Sequence, residues 1–203
     1  MTTFFNRSAL VLSIALSLGG VAHAADTKFD IVNSGDATGP IIRASTNTVV
    51  NYTGTTPANI TGSLDAADST FNRPVSDCTG LSGVGASVAY DTITFTNTTA
   101  SNATVNIAMG AVGAPATMCT ADTFLLMYNN VFNPAAPLTN CALGNDDGTN
   151  GLCSKLDAVS IPAGAVRVFV LTAYGNGKGS GLFPYEVTFG GTTPVSLQNF
   201  SVD

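Results

Sequence analysis

The chain has no tryptophan, one histidine (His23) and one glutamate (Glu186) in 203 residues, and only 10% of its residues are charged. With no imidazole beyond His23, no Ser-His-Asp or Cys-His arrangement can be assembled in the rest of the chain. The lone glutamate sits in an alternating run, where its side chain is expected to face solvent, and Asp146 and Asp147 lie side by side in a turn-forming stretch. Neither pattern makes the separated acid–base pair that hydrolysis by carboxylates requires. Lys+Arg number 7 against 13 Asp+Glu, a formal charge of −6, so no basic footprint for phosphate backbones exists and nucleic acid is excluded as a partner. The stretch around Lys178 is glycine-rich but lacks the spacing of a phosphate-binding loop. An enzyme is not expected.

Export is expected from the first two dozen residues. Arg7 supplies positive charge, residues 9–18 form a short apolar run, and Ala22-His23-Ala24 reads as a small-x-small cleavage site. The run is shorter than the roughly 20 residues needed to span a bilayer. Residues 1–24 are therefore expected to be a signal peptide, and residues 25–203 a single secreted or cell-surface domain with no transmembrane segment. About 180 residues suffice to bury one sizeable core.

What is abundant is Thr, Ser, Asn, Ala and Gly, together with 45% hydrophobic residues. That mixture suits strands and turns rather than disorder. Period-two alternation recurs at residues 88–96, where Ile93 and Phe95 share a face, and at 103–109, 165–172 and 183–189. Shorter strand-like runs occupy residues 28–32, 48–53, 60–64 and 156–161, and residues 124–128 form a continuous apolar run suited to a strand covered on both faces. Helical periodicity is absent after the leader. The expected fold is all-β, an antiparallel β-sandwich of jelly-roll type.

Four cysteines, Cys78, Cys119, Cys141 and Cys153, lie in the exported part. An even number in an oxidising compartment predicts two disulfides, with three pairings open; zinc finds neither a Cys-x-x-Cys pair nor a histidine. The expected pairing is Cys141–Cys153, clasping the acidic loop locally, which leaves Cys78–Cys119. Inside that clasp, Asn145-Asp146-Asp147 gather oxygens within three residues, and Asp91 and Asp122 at strand ends are expected to join them on one rim as a calcium site. A hydrogen-bonded turn is the alternative. The tyrosines Tyr52, Tyr90, Tyr128, Tyr174 and Tyr185 read as core edges, with a ligand platform as the rival.

Taken in order, Asp122-Thr123-Phe124-Leu125-Leu126-Met127-Tyr128, Asn145-Asp146-Asp147, and Pro162-Ala163-Gly164 leading into Val168-Phe169-Val170 resemble the bacterial pre-peptidase C-terminal domain. Phe71-Asn72-Arg73-Pro74 and Tyr90-Asp91-Thr92-Ile93-Thr94-Phe95 resemble the front half of a longer variant. The resemblance spans about residues 49–190. It implies a non-catalytic module of secreted or surface proteins, sometimes calcium-bearing. The leading expectation is an exported module for extracellular or cell-surface binding and adhesion, taking a glycan or protein ligand through its loops and strand edges. Two other roles are an accessory module of a separate secreted hydrolase, and a subunit joining like subunits by strand exchange through residues 25–32 or 195–202.

Overall fold

In the computed structural model the described residues are 46–114, 118–119, 121–148, 151–176 and 183–190. The leader, the 28–32 run and both proposed exchange tails lie outside them. Among the described residues ten strands form: β1 (Asn47–Tyr52), β2 (Ile60–Leu64), β3 (Thr70–Phe71), β4 (Val88–Asn97), β5 (Ala103–Gly110), β6 (Thr123–Asn129), β7 (Cys141–Asn145), β8 (Lys155–Ile161), β9 (Val166–Ala173) and β10 (Phe183–Gly190). They make two sheets, one ordered β1-β4-β9-β6-β7 with β3 also on β4, the other β2-β10-β5-β8. The fold is an all-β sandwich. Every pair is antiparallel except β1 with β4, which run parallel.

Alternation decides which side chains fill the space between the sheets. Ile93 and Phe95 of β4, Phe169 and Leu171 of β9, Leu125 and Met127 of β6 meet Val105, Ile107 and Met109 of β5 and Tyr185, Val187 and Phe189 of β10. The rings of Phe95 and Phe169 meet edge to face, with centroids 6.2 Å apart. The other side chains of β6 and β9 form a second, smaller core outside the first sheet. There Phe124, Leu126, Tyr128, Val168 and Val170 pack with Phe71, Val88 and the loop residue Phe132. β6 is thus buried on both faces, which its unbroken apolar run requires.

Two sequence expectations are corrected. Residues 141–145, expected as loop, are β7, zipped to β6 with Leu125 opposite Asn145 and Met127 opposite Leu143. The disulfides are Cys78–Cys141 and Cys119–Cys153, not Cys78–Cys119 and Cys141–Cys153. The cause is the strand: β7 carries Cys141 away from residues 146–148 and from Cys153, so a local clasp is out of reach. Cys141 instead meets the loop between β3 and β4, whose Ser76 carbonyl accepts from Gly144 N–H. Cys119 and Cys153 flank the β5 terminus, where Met109 N–H donates to Ser154 O at 3.0 Å.

Candidate cation-binding rim

Antiparallel register builds this site from segments distant in sequence. β6 begins just after Asp122, and β7 ends just before Asp146 and Asp147. Because Leu125 faces Asn145, continuing the two strands past their ends brings Asp122 beside Asp146 and Asp147. Carboxylate oxygens of the three lie within 4.8 Å of one another; Asp122 and Asp146 are half-buried and Asp147 is exposed.

The segment 152–154 ties both arms together. Thr123 N–H donates to Leu152 O at 3.0 Å, and Ser154 N–H donates to Thr123 Oγ1 at 2.8 Å. Gly148 N–H donates to Cys153 O, and a Cβ at Gly148 would collide with that same carbonyl. The Cys119–Cys153 disulfide anchors the segment to the preceding loop. Asn145 Oδ1 accepts from Lys155 N–H at 3.2 Å, which orients this side chain at the end of β7.

Asp91 does not join the rim. It is in phase with Ile93 and Phe95, so its side chain enters the space between the sheets and is 1% exposed. There Tyr185 Oη donates to Asp91 Oδ2 at 2.7 Å, and Thr46 N–H donates to Oδ1, fixing the start of β1. Burial pushes the Tyr185 hydroxyl pKa up, and the Asp91 charge pushes it further. Gly62 makes room for this phenol: a Cβ there would overlap Tyr185 Oη.

Sequence reasoning assigned Arg73 no role. It is 2% exposed, its guanidinium lies 3.9 Å from the Phe124 ring centroid, and Nε donates to Tyr174 O at 2.8 Å. Nη1 donates to Pro74 O at 3.0 Å. Desolvation lowers its pKa, while Asp146, Tyr174 and Asp122 pull it back up. The buried cation therefore belongs electrostatically to the acidic rim. The only available signal was its place between Phe71 and Pro74.

Glu186 also departs from expectation. It faces away from the main core, yet the loops carrying Asn59 and Gly113 fold over it, and it accepts from Gly113 N–H at 2.6 Å and from Asn59 Nδ2. Of the tyrosines, Tyr52, Tyr128 and Tyr185 are buried and Tyr90 and Tyr174 half-buried, as core edges rather than a platform. Tyr128 Oη donates to Pro137 O at 2.9 Å.

These features define an all-β two-sheet sandwich with two disulfides and one acidic rim among the described residues, none of which lies in a helix long and apolar enough to cross a membrane. Among solved structures, the chain is similar to the pre-peptidase C-terminal domain of collagenase from Bacillus anthracis, at 15% identity and TM-score 0.39, covering 73% of this chain and 95% of that one. It is also similar to Aeromonas hydrophila PliG, a periplasmic inhibitor of g-type lysozyme, at 13% identity and TM-score 0.38, covering 74% and 100%. No family model matches the chain, and no curated protein matches it.

Proposed function

We propose that this chain is an exported, non-enzymatic module that binds an extracellular glycan or protein through its rim, with Asp122, Asp146 and Asp147 holding a calcium ion that stiffens it. The observation that carries the reading is the convergence of three carboxylates from two disulfide-anchored segments. The donor set fits a hard cation, which takes oxygen ligands. The charge fits as well: three carboxylates offer a divalent ion an excess of negative charge, moderated at Asp146 and Asp122 by the Arg73 guanidinium. Calcium, when bound, supplies charge neutralisation and a cross-link between the two arms.

The sole histidine is His23, and the buried Asp91–Tyr185 pair is engaged inside the sandwich rather than aimed at a substrate. Export agrees with two disulfides, which persist in oxidising compartments. The test is a glycan and matrix-protein binding screen run in calcium and in chelator, beside the Asp146→Asn/Asp147→Asn variant. Binding that needs calcium and fails in the variant supports the whole reading. Binding indifferent to both removes the cation, and turnover of any substrate removes the non-enzymatic assignment.

A further inference from the structure

Each sheet edge presents a row of backbone groups, and soluble proteins blunt such edges with charge, proline, short strands, bulges or covering loops. Three of the four edges here are blunted. β7 is covered by the 76–78 loop through Gly144 N–H to Ser76 O and the Cys78–Cys141 disulfide. β8 carries a register shift against β5, a left-handed Ala158 (φ 52°) and the Lys155–Asp157 ion pair at 2.9 Å. β2 is five residues long with Gly62 at its centre. β1 has none of these devices: Asn47-Thr48-Val49-Val50-Asn51-Tyr52 contains no charge, proline or glycine, and its register with β4 is unbroken. Among the described residues nothing pairs with its outer side.

We infer that β1 docks against β1 of a second copy of this chain, antiparallel, about a two-fold axis at Val49. The backbone fixes the register. Thr46 O accepts from Thr92 N–H at 2.8 Å and Tyr52 O accepts from Thr98 N–H at 2.9 Å, so the even-numbered residues turn their backbone groups toward β4. Asn47, Val49 and Asn51 then turn theirs outward. Centred on Val49, that outward set is its own complement: Asn47 faces Asn51 of the second copy, Val49 faces Val49, and Asn51 faces Asn47. Each such pair exchanges two N–H···O bonds, about six in all. A one-residue slip would set outward groups against inward ones, and a two-residue slip would forfeit one of the three pairs.

The side chains agree. Val49 is 61% exposed, an apolar contact waiting on the axis, with Asn47 and Asn51 exposed on either side. On the opposite face Thr48 meets Val50 of the second copy, where Val50 is only partly covered by its own core. The chain is acidic overall, yet no charged residue of β1 meets its symmetry mate, and the adjacent Thr92 and Thr94 are neutral. The cation rim belongs to the opposite edge of this sheet, so the inference stands apart from it.

Sedimentation velocity of the full chain over a roughly thousand-fold concentration range tests it. Wild type is expected to pass from monomer to dimer, and Val49→Lys, which sets like charges on the axis at a position outside the core, to weaken the dimer at least about tenfold. Val49→Cys is expected to give a covalent dimer on mild oxidation, joined through the two introduced thiols, while Thr61→Cys on β2 gives none. Amide exchange at Asn47, Val49 and Asn51 is expected to slow as concentration rises. A monomer at every concentration overturns the inference, as does a dimer that survives Val49→Lys. Equal protection of those amides at low and high concentration also overturns it, because the chain's own residues would then cover the edge.

Discussion

Asp91 shows how much one buried side chain can decide. It accepts the Tyr185 hydroxyl from the opposite sheet and the Thr46 amide at the head of β1, so it pins the sandwich and its edge strand together. Asp91→Ala leaves one buried and one half-buried donor unsatisfied and should lower stability by about 3 kcal/mol, with Tyr185→Phe costing about 1–2, both read from urea unfolding. The phenols add a pH dependence with a definite sign. Burial raises the pKa of Tyr185 and Tyr128 above their unfolded value near 10. Their contribution is therefore complete below about pH 10 and falls as the pH climbs beyond it. Stability should drop on the alkaline side, and the Tyr128→Phe/Tyr185→Phe variant should flatten that slope. Asp91 was expected on the rim, although its phase with Ile93 and Phe95 already pointed it inward. Its partner was not legible, because alternation gives a facing direction and not what stands opposite.

At the scale of elements, the two disulfides do different work. Cys78–Cys141 shuts the β7 edge across 63 residues, and Cys119–Cys153 holds the segment that gathers the acidic rim across 34. Replacing either pair with serine should lower stability by about 2–4 kcal/mol. Only Cys119→Ser/Cys153→Ser should also weaken calcium binding in calorimetry, since only it frees the 152–154 tether. Non-reducing peptide mapping should recover a 78–141 and a 119–153 peptide pair. Strand positions were readable from alternation at β4, β5, β9 and β10. β7 escaped because Cys-Ala-Leu-Gly-Asn mixes small and turn-forming residues; it is a strand because β6 offers an edge, not because its residues prefer extension.

For the whole molecule, β1 and β2 are consecutive yet enter different sheets, and the last strand, β10, inserts between β2 and β5. Such non-local pairing predicts folding on the millisecond-to-second scale. The acidic rim joins residues from two loops, so a bound cation should stabilise the native state only. Calcium at about a hundredfold excess over its Kd should add about 2.7 kcal/mol and raise the melting temperature, and Asp146→Asn/Asp147→Asn should abolish the shift. Identical melts in calcium and chelator would remove the ion.

An all-β sandwich, two disulfides and the pairing of Asp146 with Asp147 could be read from the residues alone, because period-two burial, cysteine parity and adjacency are local or countable properties. Sheet assembly alone set which cysteines pair, that Asp122 reaches the rim while Asp91 enters the core, that the buried Arg73 is coupled to Asp146 and Asp122, and that among the described residues only β1 keeps a bare edge. Those depend on strand register and sheet order, which bring together residues tens of positions apart that no local pattern links.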